Sequence, residues 1–236
     1  MDGGSTDESN VGTYRIIPFL KAKGVGKLDY AIVTHADSDH INGIVELMEA
    51  SRKGGVQIGY LVLPKTSLVE ENYESLVHLA VECGIPVVYI KAGDKLQVEK
   101  LELTCLHPTA DYKAEDSNSY STVLQVQYGE FKALLTGDLG IEQEKLLVKN
   151  RKLENVLLLK VAHHGSKKST CEEFLECVHP ELAIISAGKD NSYGHPHKDT
   201  LKRLAKVRSR VMSTAEYGGI TVEVEGGKVK VDGYVR

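Results

Sequence analysis

The sequence lacks the features that would place a chain in several special classes. Its longest apolar runs, such as residues 156–159 and 183–185, are far too short to span a bilayer. No positively charged leader precedes an apolar run near the start, so we expect a soluble chain that is not exported. None of its 4 cysteines forms a Cys-x-x-Cys pair, which argues against a structural zinc knuckle and a dense disulfide framework.

The chain also carries little excess charge. A formal net charge of −4 excludes a chain dominated by electrostatic attraction to nucleic acid, although it leaves local basic patches open. The scattered cysteines are expected to be reduced, mostly buried thiols, and they leave the compartment undecided. We expect the cytoplasm by default, and an extracytoplasmic location if the chain is part of a membrane-tethered protein. With 236 residues, 42% of them hydrophobic and 26% charged, it has the composition of a globular protein with a sizeable core.

Short apolar runs alternate with amphipathic patterns along almost the whole chain, which predicts a layered α/β fold. Two hairpins, turning at residues 128–130 and 225–227, predict that part of the sheet is antiparallel. No fixed-period repeat, low-complexity tract or long linker interrupts the pattern, so we expect one domain over residues 1–236. The predicted strands are 30–34, 59–63, 87–90, 101–106, 122–128, 131–136, 156–161, 183–186 and a run after Gly219; the predicted helices are 14–23, 41–52, 70–83, 141–150, 171–178 and 199–206.

The most informative segment follows the first apolar strand. His35, Asp37, Asp39 and His40 fall within six positions directly after residues 30–33. Imidazole and carboxylate are ligands for divalent ions, and a tight turn can aim several of them at one point. The alternative is a solvated polar loop in which Asp39 caps a helix that begins near Ile41. Because a cap needs only one such residue, the segment indicates a metal centre.

A further candidate ligand is Asp138, which follows the predicted strand 131–136 and lies between Gly137 and Gly140. Glycine allows the backbone to approach a ligand closely, and a carboxylate just past the end of a strand can bridge two ions. Alternatively, Asp138 caps the helix that begins near Ile141.

Adjacent histidines, His163 and His164, follow the strand 156–161. From an extended backbone they cannot point the same way, so one would bind metal while the other supports that ligand or acts on substrate. The residues do not decide which; we assign His163 to the metal and His164 to catalysis. The alternative is a pair of buried histidines satisfied by hydrogen bonds.

Another histidine-bearing loop, residues 188–197, follows the strand 183–186 and carries His195 and His197. Its alternative is a polar turn that starts the next helix. In total, four loops that follow predicted strands carry histidine or aspartate, and strands of one sheet can place such loops along a common edge. That arrangement is typical of an active site.

Four segments, in this order, resemble the metallo-β-lactamase fold. The closest resemblance is to the C-terminal hydrolase domain of ComEC-type DNA-uptake proteins and its free-standing relatives. The segments are 28–43 (LDYAIVTHADSDHING), 135–138 (LTGD), 160–166 (KVAHHGS), and 186–188 (SAG) leading to 193–197 (YGHPH).

The resemblance implies a four-layer αββα sandwich with two metal ions. His35 and Asp37 would hold one ion, Asp39 and His40 the other, and Asp138 would bridge them. One of His163 and His164 would complete the site. Many members of the family carry histidine where Asp37 stands, and aspartate there resembles the ComEC-type pattern. The added carboxylate admits Mn²⁺ as well as Zn²⁺.

Two departures from the family pattern affect these expectations. Residues 1–5 resemble the end of the family's Ile-Asp-Gly-Gly strand, so we expect the first N-terminal hairpin to be lacking. Residues 117–121 stand where many relatives have a histidine, which would leave the first ion with fewer protein ligands. A non-catalytic remnant that binds DNA or a partner is therefore one alternative function.

The leading hypothesis is a metal-dependent phosphodiesterase or nuclease that attacks DNA through a metal-bridged hydroxide. We expect DNA, single-stranded or duplex, as partner, and a separately encoded membrane DNA channel as a second partner. The second enzymatic alternative is hydrolysis of a small ester, lactam or thioester, because the same nucleophile attacks carbonyl carbon. The expected catalytic residues are Asp39, His164, His195 and His197, and the expected phosphate-binding residues are Ser166, Lys167 and Lys168.

Residues 198–210 carry six cations and a single acidic residue. Such a run either binds a phosphate backbone or forms a solvated helix face.

Overall fold

The computed structural model describes residues 1–68, 70–150 and 153–234. The chain divides into two compact units. The first consists of Met1–Lys91 and Pro108–Thr122, and the second of Ala92–His107 and Val123–Arg236.

The first unit contains a three-stranded parallel sheet in the order β1-β2-β3. Its strands are β1 (Lys27–Ile32), β2 (Gln57–Pro64) and β3 (Val87–Ile90), and its α-helices are α1 (Ile17–Ala22), α2 (Ser38–Arg52) and α3 (Glu71–Glu82). A π-helical turn, Gly12–Ile16, leads directly into α1, and a 3₁₀ turn spans Asn118–Tyr120.

Helix α2 is amphipathic, and its buried face explains its position. Ile41, Ile44, Leu47 and Met48 recur at helical spacing and are at most 7% exposed. They join strand residues such as Leu61 in one core cluster. Because this apolar stripe fixes the rotation of α2, it also fixes the loop that connects β1 to the start of the helix.

The second unit contains a seven-stranded mixed sheet in the order β10-β9-β8-β7-β6-β5-β4. Strands β7 to β10 are mutually parallel, and β4 to β7 are antiparallel. Its strands are β4 (Lys95–Val98), β5 (Leu101–His107), β6 (Val123–Tyr128), β7 (Phe131–Leu135), β8 (Leu158–Lys160), β9 (Leu182–Ile185) and β10 (Arg210–Ser213), and a separate hairpin consists of β11 (Gly219–Glu225) and β12 (Lys228–Tyr234).

Four α-helices accompany this sheet, namely α4 (Ile141–Asn150), α5 (Glu172–Val178), α6 (Lys198–Lys206) and α7 (Thr214–Tyr217). A 3₁₀ turn, Ala162–Gly165, follows β8. The main core cluster of the unit combines strand residues such as Leu159 and Ile185 with helix residues such as Phe174 and Leu204.

The predicted α/β class is confirmed, and so are both hairpins. The prediction omitted β4, β10 and α7. Two of these are strands of four residues, and α7 has one turn, so none carries a long periodic pattern. All predicted helices are present, although α2 begins three residues before its predicted start at Ile41.

The expectation that one sheet carries all four ligand-bearing loops is wrong. The loop with His35 follows β1, which belongs to the three-stranded sheet. The other three loops follow β7, β8 and β9, which are parallel neighbours in the seven-stranded sheet. The carboxyl ends of parallel neighbours meet at one edge, so these three loops lie along a common edge of the seven-stranded sheet.

Among the described residues, no helix combines the length and apolar character needed to cross a membrane. The four cysteines are free thiols. The prediction of one domain over residues 1–236 stays a prediction.

Candidate metal-binding clusters

The first candidate cluster consists of His35, Asp37, Asp39 and His40, and is called the N-terminal cluster below. Asp37 has an extended backbone and is the residue from which α2 starts, since the amides of His40 and Ile41 donate to its carbonyl. The alternative in which Asp39 caps this helix is therefore wrong, because Asp39 lies inside the first turn. Within the described residues, the side chain of Asp37 makes no capping hydrogen bond, which leaves the carboxylate available as a ligand.

The two imidazoles of this cluster lie side by side, with ring centroids 4.1 Å apart. His35 is fully buried, and its Nε2 makes no hydrogen bond within the described part of the chain. That atom lies 3.5 Å from the Asp37 carboxylate. The interaction with the His35 ring is the main cause that lowers the pKa of Asp37, so this carboxylate is ionised at neutral pH.

Hydrogen bonds fix the tautomer of His35. The Thr34 hydroxyl donates its only proton to Asp2 (2.9 Å) and lies 2.9 Å from Nδ1 of His35. Nδ1 of His35 must therefore donate to the Thr34 oxygen, which leaves the lone pair of the imidazole on the buried Nε2. A buried lone pair without a hydrogen bond fits a metal ligand.

Asp2 fixes the tautomer of His40 in the same way. Its Oδ2 lies 3.1 Å from Nδ1 of His40, and its Oδ1 accepts from the Thr34 amide at 2.7 Å. Burial opposes ionisation of Asp2, yet the hydrogen bonds with His40 and with the Thr34 amide help to leave its pKa lowered overall. An ionised Asp2 draws a proton onto Nδ1 of His40 and leaves Nε2 as the lone-pair atom.

The N-terminal residues reach this cluster by close backbone packing. Asn42 exchanges two hydrogen bonds with the backbone of Ser5, and the Gly3 amide donates to the carbonyl of His40. A Cβ on Gly43 would lie 2.2 Å from the carbonyl oxygen of Gly3. Asn42 therefore binds the backbone of residues 2–5, and Gly43 leaves the space in which they pack, so that Asp2 lies next to His40.

Sequence reasoning assigned no role to Asp2. The signal was present in the Asp-Gly-Gly at residues 2–4, but 38 positions separate Asp2 from His40, so spacing could not connect them. Ser121 belongs to the segment 117–121, for which the sequence predicts no ligand. Its hydroxyl lies 3.4 Å from Nδ1 of His35, so this segment supports the ligand ring.

The second candidate cluster consists of Asp138, His163, His164 and His195, and is called the C-terminal cluster below. Asp138 is 4% exposed and follows β7. Its Oδ2 lies 3.5 Å from Nε2 of His164 and 3.9 Å from Nε2 of His163.

The backbone of the paired histidines is left-handed. His163 has φ 49° and ψ 47°, and His164 has φ 52° and ψ 21°. The premise of an extended backbone is therefore wrong, and both rings approach the same carboxylate. Non-glycine residues rarely adopt positive φ, and consecutive examples are typical of functional sites.

Two backbone bonds and one close contact hold this turn. The His163 amide donates to Gly137, and the His197 amide donates to Gly165. Gly165 has φ +81°, and a Cβ there would lie 2.8 Å from Cβ of Pro196. Glycine at position 165 is therefore required by conformation and by space.

His164 has the better-defined ligand atom of the pair. Its Nδ1 lies 2.7 Å from the carbonyl oxygen of Ser186, which only accepts, so Nδ1 carries the proton. Nε2 of His164 therefore presents a lone pair toward Asp138. His163 instead meets His195 edge-to-face, with centroids 6.0 Å apart.

His195 lies on the loop 188–197. Burial and the neighbouring His163 and His164 lower its pKa, so this imidazole is neutral at pH 7. His197 takes another position: its Nδ1 accepts from the Asp199 amide at 3.2 Å and caps α6. The alternative interpretation of this loop, a turn that starts the next helix, therefore holds for His197.

The three predicted phosphate-binding residues differ in exposure. Ser166 is buried, and its hydroxyl accepts from the Lys168 amide at 3.3 Å. Lys167 and Lys168 are exposed. The cations can therefore reach a ligand, whereas the Ser166 hydroxyl holds the turn.

Several cations of the basic segment are bound within the second unit. Arg203 donates to the carbonyls of Ser169 and Thr170 and so ties α6 to the preceding loop. Lys206 pairs with Glu172 at 2.6 Å. These bonds favour the solvated helix face over a phosphate-binding patch.

The comparisons with known proteins agree with these features. The family model described as "Metallo-beta-lactamase superfamily" matches residues 2–189. The chain is 41% identical over 211 residues to ComE operon protein 3 of Bacillus subtilis, and 30% identical over 233 residues to competence protein ComA of Neisseria gonorrhoeae. These alignments cover 89% and 98% of this chain but 26% and 30% of the relatives, so the chain spans less than a third of their length.

Among solved structures, the metallo-beta-lactamase fold protein YhfI from Bacillus subtilis is similar, with a TM-score of 0.55 and 15% identity. The match covers 92% of this chain and 81% of YhfI. At this identity the likeness shows the fold alone. It confirms the metallo-β-lactamase-like α/β fold predicted from the four sequence segments.

Proposed function

Because this chain belongs to the metallo-beta-lactamase superfamily, we propose that it is a metal-dependent hydrolase of phosphodiester bonds in DNA. The superfamily typically binds divalent metals, and the competence relatives suggest a DNA-uptake context for this chain. The proposed metal ligands are His35, Asp37, Asp39, His40, Asp138 and His164.

One observation carries this proposal: in three histidines the hydrogen-bond network directs the lone pair to Nε2. Thr34 does this for His35, Asp2 for His40, and the carbonyl of Ser186 for His164. Partners of this kind raise the basicity of an imidazole and hold its orientation, as in known metal sites. Histidines that served only to fill a core would not need the same tautomer.

The donor set is equally divided between imidazole and carboxylate. Three histidines and three aspartates suit Zn²⁺ as well as Mn²⁺, and we propose two such ions. When bound, they would neutralise charge on the phosphoryl oxygens and lower the pKa of water.

His195, Lys167 and Lys168 are proposed to act on the substrate. His195 is the proposed proton-transfer group, because its ring lies beside His163 and Asp138 is near both His163 and His164. Lys167 and Lys168, exposed on the turn after the paired histidines, are proposed to hold a flanking phosphate.

A substrate panel tests this proposal against its alternatives. The purified chain is stripped with a chelator, reloaded with Mn²⁺ or Zn²⁺, and assayed on single-stranded DNA, a bis-nitrophenyl phosphodiester and nitrocefin. We expect diester cleavage that depends on added metal. Lactam turnover without diester cleavage would instead support a small-molecule hydrolase.

Metal analysis of the same samples provides an independent measurement. We expect two equivalents of metal per chain, measured by mass spectrometry after gel filtration. A folded chain that retains only a trace of metal would support the non-catalytic alternative.

A further inference from the structure

The loop between β9 and α6 carries an exposed aromatic ring beside the C-terminal cluster. Tyr193 is 68% exposed. Its ring lies nearly parallel to that of His195, at 22° and with centroids 5.9 Å apart. One face of Tyr193 is therefore turned toward the proton-transfer group, and most of the ring remains in solvent.

The loop that carries Tyr193 is fixed by one side chain. The Asn191 amide donates to the carbonyls of Gly188 (2.8 Å) and His195 (2.6 Å), and its oxygen accepts from the His195 amide (3.0 Å). These bonds tie the two ends of the loop 188–195 together, and Tyr193 lies between them in the sequence. An aromatic ring held in this way loses little conformational freedom when it binds a ligand.

The loop 188–195 offers no net charge from Lys189 and Asp190 with which to bind a ligand. Lys189 is followed directly by Asp190, and both are exposed, so their charges offset each other. Stacking is the interaction that remains for an exposed ring. Every nucleobase has a π-face, and proteins that bind single strands use aromatic side chains on which successive bases stack.

We propose that Tyr193 is a stacking platform for an unpaired base of the DNA substrate, next to the phosphate that His195 serves. This inference rests on the proposed function for its choice of ligand. It deepens that function in two ways. The substrate must be single-stranded at this position, because stacked neighbours cover both faces of a base inside a duplex, and recognition here is indifferent to base identity.

Binding of protected oligonucleotides tests the inference. The metal-loaded chain is titrated with a phosphorothioate oligothymidine and with an abasic oligomer of the same length and backbone, and fluorescence anisotropy gives both Kd values. Stacking on one aromatic ring contributes about tenfold in affinity. We therefore expect Tyr193→Leu to weaken oligothymidine binding roughly tenfold and to leave the abasic oligomer unchanged.

Two further variants separate the ring from other roles. Tyr193→Phe keeps the ring and should bind like the unmodified chain, whereas a loss equal to that of Tyr193→Leu would assign the effect to the hydroxyl and overturn the inference. Tyr234→Leu removes a tyrosine that is 58% exposed at the end of β12, and it should change neither Kd.

The outcomes for the inference and for the proposed function are distinct. Equal losses on the two oligomers, or no loss on either, would overturn the stacking role even if the chain hydrolyses diesters. Base-dependent binding without any diester hydrolysis would overturn the proposed function and leave the stacking site in place.

Discussion

The N-terminal and C-terminal clusters present similar donors on very different backbones. In the N-terminal cluster, the ligands leave a parallel strand and enter α2 through ordinary extended and helical conformations. In the C-terminal cluster, His163 and His164 have positive φ, and Gly165 is packed against Pro196. The first arrangement is held by partners around the ligands, and the second by the backbone itself.

This difference determines which substitutions should damage each cluster. Removing a hydrogen-bond partner should disturb the N-terminal cluster without changing its backbone. Adding a Cβ should disturb the C-terminal cluster through its backbone.

Replacing one acidic ligand in each cluster tests whether both are required. We expect Asp39→Ala and Asp138→Ala each to lower kcat for diester hydrolysis by about 10³-fold or more, because a ligand carboxylate is lost. Steady-state kinetics with matched metal content provide the measurement. The exposed Asp7 supplies the control, and Asp7→Ala should have no effect. If either ligand variant retained full turnover, its cluster would not take part in the reaction.

Asp2→Asn tests whether hydrogen-bond partners hold the ligands of the N-terminal cluster in place. An amide nitrogen facing Nδ1 of His40 would no longer draw a proton onto that atom, so the ring would lose its orientation and part of its basicity. We expect metal affinity or turnover to fall about 10- to 100-fold, the usual effect of such outer partners. Competitive metal titration measures the change. Unchanged metal affinity and turnover would show that Asp2 only packs the N-terminal residues.

Gly165→Ala tests whether the backbone conformation holds the ligands of the C-terminal cluster in place. Its φ of +81° and the 2.8 Å approach to Pro196 should together lower the free energy of unfolding by about 2–3 kcal/mol. Urea denaturation provides the measurement. Gly129→Ala is the control: Gly129 also has positive φ, but among the described residues a Cβ there would meet no heavy atom within 4 Å beyond its chain neighbours, so we expect a loss of only about 1 kcal/mol. Equal losses would show that the Pro196 contact adds nothing.

Glu144 is a buried acidic residue of the second unit, and its proton links stability to pH. The carboxylate accepts from the amides of Thr170 and Cys171, at 2.6 and 2.8 Å. Burial raises its pKa to about 7, against the opposing effect of those amides. Since the folded chain then binds this proton more tightly than the unfolded chain, stability should fall as pH rises from about 4.5 to 7.

The pH dependence is measured by urea denaturation at both ends of this window. We expect the Glu144 contribution to fall by roughly 2 kcal/mol across this window. Glu144→Gln cannot ionise, so its stability should change less with pH than that of the unmodified chain. Identical pH profiles would show that Glu144 does not titrate in this range.

The N-terminal cluster was predictable from sequence because its four candidate ligands lie within six positions. The helix that follows was also predictable, since Ile41, Ile44 and Leu47 recur at helical spacing. Asp2 was not assigned, because its contact with His40 exists only after the chain has folded back across 38 residues. The expectation that His163 and His164 cannot point the same way relied on an extended backbone, and the left-handed turn removes that basis.

By itself, the sequence determined the α/β class, the two hairpins, the family and the residue types of both clusters, since periodicity and short motifs are local properties of a chain. Tertiary structure alone decided which sheet each ligand loop belongs to, which imidazole nitrogen carries the lone pair, and how Asn191 holds Tyr193 beside His195. Each of these depends on hydrogen bonds and close contacts between residues that lie apart in the sequence or on a local backbone conformation that no residue type dictates.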